Sequence, residues 1–343
     1  MRWQNVYVSG LGAYFPEQRL TAEQAVADGL YTAEALQANG YRSVRVAGDE
    51  ETGPVMAAAA GKQAVERSGL AAADFGVVLH ASAGHPGQDF WTPAHYVLGH
   101  AVGGHAAAIE MRQGSNSALA GLELAASWVT ARPGTAALVT VGDAFKLPYF
   151  DRWNADDQLV YGDGAGAAVL STSGGFAKLL STASRADASL EPLYRGGGWT
   201  PAPFHEGRPI DLAGRKREWL ERHEGGYDDA IETINKNFGA VLQEALADAD
   251  TDLGSTQWFV HAAMSRSIVD WGFHGALGLD PKQTPYEWSL DYAHVGGADQ
   301  FTGLNHLAED GQLKAGDKVV AAGAGIGFGW TVAVLEIVES PQW

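Results

Sequence analysis

Gly162-Asp163-Gly164-Ala165-Gly166-Ala167-Ala168-Val169-Leu170 is the most distinctive stretch of this 343-residue chain. Its alternating glycines leave the backbone bare just ahead of a small, apolar, strand-forming run. The segment therefore reads as a buried strand entered through a site of close backbone packing, with a structural part to play. Working outward, short apolar runs of strand length fall at 6–12, 76–82, 106–111, 136–142 and 165–171. Helical patterns separate them at 21–28, 32–39, 56–68, 93–101 and 116–130. The last carries Leu119, Leu122, Leu124 and Trp128 and is closed by Arg132-Pro133-Gly134. The second half repeats the theme, with helices at 227–248 and 265–277 and strands at 258–261, 318–322 and 331–337. Such alternation predicts βαβ units and a largely parallel sheet. Two similar halves, 1–172 and 173–343, suit a pseudo-duplicated α/β architecture. The stretch 190–226, rich in Gly, Pro, Arg and Trp, reads as an inserted cap or loop.

Composition narrows the chemistry. Lysine and arginine number 23 against 41 acidic residues, a net charge of −18. That surface repels phosphate backbones, which argues against nucleic acid as a partner and favours a cationic acceptor. Coenzyme A or an acyl carrier protein, both acidic, needs a local basic patch. The chain has no cysteine, so disulfides, thiolate metal sites and cysteine nucleophiles are excluded. His95, His100 and His105 recur every five residues and do not share a helical face, so no metal site is expected. Gly10-Leu11-Gly12 follows a strand but lacks the third glycine of a dinucleotide fingerprint, and no cofactor is expected. Met1-Arg2-Trp3-Gln4 runs directly into a strand pattern, and no apolar stretch is long enough to span a bilayer. A cytoplasmic protein is the expectation.

Several further segments match one family in order and spacing. They are Tyr14-Phe15-Pro16-Glu17, Gly40-Tyr41-Arg42-Ser43-Val44-Arg45, the Gly162–Leu170 run, and Glu309–Asp317 followed by Gly323-Ala324-Gly325-Ile326-Gly327-Phe328-Gly329-Trp330. Over nearly its whole length the chain resembles the ketoacyl synthase III group of the thiolase superfamily. The resemblance implies a thiolase fold, five layers in the order α-β-α-β-α, and a homodimer.

In Ala108-Ile109-Glu110-Met111-Arg112-Gln113-Gly114-Ser115-Asn116-Ser117, the residue that matches the family's nucleophilic cysteine is Ser115. Read alone, a serine opening a helix is an N-cap. Under the resemblance it is the acyl carrier, with Ser117 as the fallback, and the helix N-terminus favours negative charge on the acyl oxygen. The Ser115 amide and an amide from Gly325, Ile326 or Gly327 are the expected oxyanion donors. A serine hydroxyl needs a general base. His261 matches the family's histidine, followed here by Ala262-Ala263-Met264. His294, in Tyr292-Ala293-His294-Val295-Gly296-Gly297-Ala298-Asp299, stands where the family has asparagine, with Val295 as the alternative placement. Valine cannot act as a base; histidine can. Asp299, five residues on, can orient its ring, so Ser115, His294 and Asp299 would form a hydrolase-like triad. His261 would donate a hydrogen bond near the reacting carbonyl. His85 and His205, beside Gly-Pro segments, are candidates to line a substrate pocket.

Decarboxylative condensation needs two neutral donors at an enolate, histidine and asparagine in this family. With the asparagine gone, the expected enzyme is an acyltransferase. It moves an acyl group from a coenzyme A or acyl-carrier-protein thioester, through acyl-Ser115, to a hydroxyl or amine of an antibiotic-type metabolite. A starter-unit ketosynthase of polyketide biosynthesis, and a non-catalytic partner of acyl carrier protein, are the other two readings.

Overall fold

The computed structural model describes residues 1–197, 209–223 and 225–343. Eleven strands are present among them: β1 (Tyr7–Tyr14), β2 (Arg19–Thr21), β3 (Ser43–Arg45), β4 (Phe75–Ala81), β5 (Ala107–Met111), β6 (Ala136–Asp143), β7 (Gly164–Ser171), β8 (Ala177–Ala186), β9 (Trp258–Val260), β10 (Lys318–Gly325) and β11 (Gly329–Ile337). β2 and β3 form a small ribbon. The other nine run in the order β5-β4-β6-β7-β1-β8-β11-β10-β9. The seam between β1 and β8 is only two residue pairs, Tyr7 with Lys178 and Val8 with Ala177. On one side of it, β4 and β6 are parallel while β6–β7 and β7–β1 are antiparallel. On the other side, β9 and β10 are parallel while β10–β11 and β11–β8 are antiparallel. The two halves thus repeat one pattern.

The sheet is therefore mixed, where the sequence predicts a largely parallel one. Parallel pairing needs a long crossover. β10 and β11 are joined by only Ile326-Gly327-Phe328, which leaves room for a hairpin alone. β8, Ala177–Ala186, does not stand out in the sequence. Its residues, AKLLSTASRA, alternate weakly, and they become a strand because β11 pairs along their length. The span read as a cap or loop also holds a helix, Leu212–Arg222, started by the Asp211 carboxylate accepting from the Gly214 amide at 2.7 Å.

Strand alternation sorts the core into layers. Ala137, Val139, Ala168, Leu170, Val319, Ala321, Ala333 and Leu335 point to one shared core with Leu119, Leu122, Phe301 and Leu304. Their neighbours on the same strands point the other way. Leu138, Ala167 and Val169 pack under the Gly53–Ser68 helix, and Val320, Val332 and Val334 pack with Val241 and Leu242 of the Gly226–Asp248 helix. Two helices, Ser117–Ala131 and Asp299–Glu309, thus lie between the two half-sheets, with a helix outside each: five layers. The inner pair is apolar because it is enclosed on both sides. Burial of each Leu contributes about 1.5–3 kcal/mol. The Ser117–Ala131 helix stops two residues before Pro133, whose ring disfavours helix at Arg132, and Arg132 leaves at φ −134°. Both inner helices begin at the same place, and that is where the candidate chemistry lies.

Candidate active site

The chain leaves β5 and turns into the Ser117–Ala131 helix through a single 3₁₀ turn, Gly114–Asn116. Gly114 has φ +53°, and a methyl group there would stand 2.7 Å from the Ile326 side chain and 2.9 Å from its amide nitrogen. Only glycine lets the β10–β11 hairpin sit this close to the turn. Ser115 is held half-buried at the apex. Ser117 is fully buried, and its hydroxyl donates to the Gly114 carbonyl at 2.7 Å, which commits it to the turn. The hairpin residues Gly325 and Ile326 lie directly over Gln113–Asn116.

His294 reaches Ser115 from the other half of the chain. Its backbone is clamped by a short parallel bridge: His294 N–H donates to the Val160 carbonyl at 2.9 Å, and Gly162 N–H donates to the His294 carbonyl at 3.0 Å. The preceding Ala293 sits at φ +60°, a left-handed conformation that costs a non-glycine residue about 1–2 kcal/mol. Asp163 in the Gly162–Leu170 run stabilises this region. Its buried carboxylate accepts from the Ala47 and Phe145 amides, each at 2.7 Å, and from Arg152.

The polar chain is complete. The Ser115 hydroxyl and His294 Nε2 are 2.7 Å apart, and His294 Nδ1 is 2.6 Å from the Asp299 carboxylate. With Nδ1–H donating to Asp299, Nε2 carries the lone pair and accepts from Ser115. Asp299 also accepts from the Val295 amide at 2.9 Å and the Ala263 amide at 2.8 Å, so both its oxygens are fixed. Ala263 is held in turn by the buried Tyr41 hydroxyl, which donates to its carbonyl at 2.8 Å. Val295, the alternative placement, packs into the central core.

His261 differs from expectation. Its Nδ1 is 2.8 Å from the Ala262 carbonyl oxygen, so Nδ1 must carry the proton. Nε2 is buried without a partner among the described residues. Burial pushes this ring down to about 4, so it is neutral at pH 7 and its Nε2 is an acceptor. The ring stacks on Phe273, with centroids 4.3 Å apart. His261 therefore cannot donate through Nε2, contrary to the role its sequence position implies. His85 spends both nitrogens inside its own loop: Nε2 pairs with Asp89 at 2.9 Å, and Nδ1 accepts from Gly87 at 3.0 Å. His205 lies outside the described residues. Sequence reasoning misses Tyr161, whose ring centre is 5.2 Å from that of His294 and which packs with Phe145 and Phe150. It also misses Asp143, at the end of β6. The aromatic crowding of Phe145, Tyr149, Phe150 and Tyr161 is the available signal for the first.

Two models of one family match the chain: 3-oxoacyl-[acyl-carrier-protein] synthase III over residues 109–188, and the C-terminal region of the same family over 246–337. A solved structure named ChlB3, an acyltransferase, is 33% identical. It superposes with a TM-score of 0.91 and covers 98% of this chain and 99% of its own. The chain belongs to the ketoacyl synthase III family. A curated member from Rhizorhabdus wittichii, named beta-ketoacyl-[acyl-carrier-protein] synthase III, is 28% identical over 96% of this chain and 98% of its own. The fold alone is shared with the 3-oxoacyl-[acyl-carrier-protein] synthase III of Aquifex aeolicus: 19% identity, TM-score 0.78, 96% and 99% coverage. No described helix of this ketoacyl synthase III family member is long and apolar enough to cross a membrane.

Three buried groups make the stability of the protein sensitive to acid. His80 on β4 is fully buried and, like His261, is pushed by burial down to about 4 from an ordinary 6.5. Unfolded histidines take up protons as pH falls through 6.5 while these two resist, so acid favours unfolding by about 3 kcal/mol for each ring. Asp143 works in the opposite direction. Burial raises it from 3.8 to about 6, so the folded state binds a proton first, which offsets about 2–3 kcal/mol. Between pH 7 and pH 4.5 a net loss of about 3 kcal/mol is expected, read as a fall in the urea midpoint at constant m. A midpoint that stays flat over this range would show that the two rings are not held neutral.

Proposed function

We propose that this protein is an acyltransferase that carries an acyl group on Ser115 and delivers it to a hydroxyl or amine. The hydrogen-bonded chain from Ser115 through His294 to Asp299 carries the reading. His294 Nε2 accepts the Ser115 proton as the serine oxygen attacks a thioester carbonyl. The carbon–sulfur bond breaks and the thiol leaves with that proton. In the second half, His294 takes the proton of the incoming hydroxyl or amine, the acceptor bonds to the acyl carbon, the bond from that carbon to the Ser115 oxygen breaks, and the Ser115 oxygen recovers the proton. Asp299 orients the ring and supports its transient positive charge. The Ser115 amide, just before the inner helix, and the amides of Gly325–Gly327 in the β10–β11 hairpin are the oxyanion donors in this scheme. The acyltransferase designation of ChlB3 points the same way.

The donor is a coenzyme A or acyl-carrier-protein thioester, in keeping with the family's name. The acceptor belongs to a specialised metabolite of the antibiotic or polyketide type. A homodimer is part of the reading: β5 is the sheet's outer strand, with Ile109 on it 42% exposed, and a second copy would cover this edge. The deciding experiment is intact-protein mass spectrometry after incubation with a panel of acyl thioesters, then with hydroxyl and amine acceptors. A donor-dependent adduct on the Ser115 peptide that an acceptor discharges is expected. No adduct from any donor would favour a non-catalytic partner of acyl carrier protein.

Asp299→Asn isolates the third member. Asparagine can keep the shape yet offers its amide to the ring, favouring the wrong tautomer at His294. Turnover is expected to fall by about 10³–10⁴-fold, and the urea midpoint to fall by the equivalent of about 1–3 kcal/mol, because the amide turned to the ring also faces the Ala263 N–H. Turnover within tenfold of the parent would remove Asp299 from the mechanism.

A further inference from the structure

Asp143 is the buried group that the triad leaves unexplained. It ends β6, which pairs parallel with β4 as β4 does with β5, so all three strands deliver their following loops to the same side as Ser115. One oxygen, Oδ1, accepts from the amides of Ala83 and Gly84, both at 2.8 Å, and anchors the loop that leaves β4. The other oxygen, Oδ2, is buried and has no partner among the described residues. It faces the turn that follows His294: a methyl group added at Gly296 would stand 2.5 Å from it. Gly297, next in that turn, lies as close to the Gly114 carbonyl, 2.6 Å by the same measure. A carboxyl group therefore touches the turn that links the base to its orienting aspartate, and that turn touches the nucleophile's own turn.

We propose that Asp143 is a positioning residue of this site, a second carboxyl group that sets the charge His294 can hold and presses the Val295–Ala298 turn toward Ser115. The inference rests on His294 being the general base. An unpaired buried oxygen is costly, so its retention calls for a reason. A negative charge near an imidazole favours the imidazolium, and Asp143 Oδ2 lies against Gly296, two residues from His294. The remaining charges around Asp143 are few. Arg112, from the loop after β5, donates to the Gly84 carbonyl at 3.2 Å and lies outside that loop, exposed. Asp163, reached through Phe145, is neutralised by Arg152 at 2.8 Å. Lys146, further along the same loop, donates to the Gly48 carbonyl. Asp299 is already bonded to His294. With burial raising Asp143 to about 6, its charge is lost in mildly acidic solution, in the range where an ordinary histidine titrates.

The test is Asp143→Asn, which keeps an oxygen for the Ala83 and Gly84 amides and removes the titrating charge. Two readings are taken: the pH profile of kcat/KM for acyl transfer, and the titration of His294 by NMR in ¹⁵N-histidine protein, assigned with His294→Gln. The variant should move the His294 titration and the acid limb of the profile down together, by about half a unit or more. In the parent protein the His294 signal should also show a second inflection from Asp143, a reading that does not depend on how the variant folds. A His294 titration unchanged in the variant, or a single inflection in the parent, overturns the proposal. If the NMR titration moves and the activity limb does not, Asp143 acts as proposed and His294 is not the base.

Discussion

Replacing Ser115 by alanine is expected to abolish the acyl adduct and lower turnover by about 10⁴-fold or more, while the protein stays folded. The half-buried hydroxyl makes one hydrogen bond, to His294 Nε2 at 2.7 Å, so the loss to stability is about 1 kcal/mol. The loss to chemistry is far larger, because no other nucleophile can take over. The chain has no cysteine, and Ser117 is fully buried with its proton on the Gly114 carbonyl. What should survive is binding: the oxyanion amides and the acyl pocket are untouched by the loss of one oxygen. Intact mass after thioester addition, with turnover measured on the same sample, reads both effects. An adduct that forms on Ser115→Ala at the parent rate would place the acyl group elsewhere and end the acyl-serine mechanism.

How much of this site is legible in the sequence depends on distance along the chain. His294 and Asp299 are five residues apart, so once the family resemblance points to His294 one turn suffices to suggest the pair. Ser115 is 179 residues from His294 and is joined to it only through the family resemblance, since nothing local in either segment refers to the other. Asp143 and Tyr41 are not legible at all. Asp143 closes a strand as many aspartates do, and its meaning arises from the Ala83, Gly84 and Gly296 backbones folding around it. Tyr41 acts through the Ala263 carbonyl, 222 residues away. The fold shows the same division. Helices with a strong apolar face, such as Ser117–Ala131, can be read with their ends near the observed ones. β8 and the mixed sheet cannot, because strand direction is fixed by partners and connection length, which a residue pattern does not encode.

His261 shows why a matched position is not a matched role. The family resemblance supplies the residue; the Ala262 carbonyl decides where its proton goes. With Nδ1–H committed there, the unpartnered Nε2 is an acceptor. His294 likewise presents a lone pair at Nε2 when its proton faces Asp299. Both side chains that would hold an enolate oxygen in a condensing enzyme therefore lack a proton on Nε2 in the resting state.

From this follows the second large effect: the protein should transfer acyl groups yet fail to release carbon dioxide from a malonyl thioester. Decarboxylation leaves an enolate whose oxygen must be met by hydrogen-bond donors. Losing one such donor costs about 10²–10³ in rate, and here neither Nε2 donates at rest. An imidazolium at His294 would donate, and in acyl transfer it forms as His294 takes the proton of Ser115 or of the acceptor. His261 cannot compensate, since burial keeps it neutral with a value of about 4. Malonyl decarboxylation is therefore expected at least about 10³-fold below acyl transfer from a simple thioester. His294→Asn should abolish transfer, because an amide cannot take the Ser115 proton. The assay is release of labelled carbon dioxide alongside product analysis. Efficient release by the parent protein, lost in His294→Ala, would mean that His294 works as a donor to an enolate, and the protein would then be a starter-unit ketosynthase.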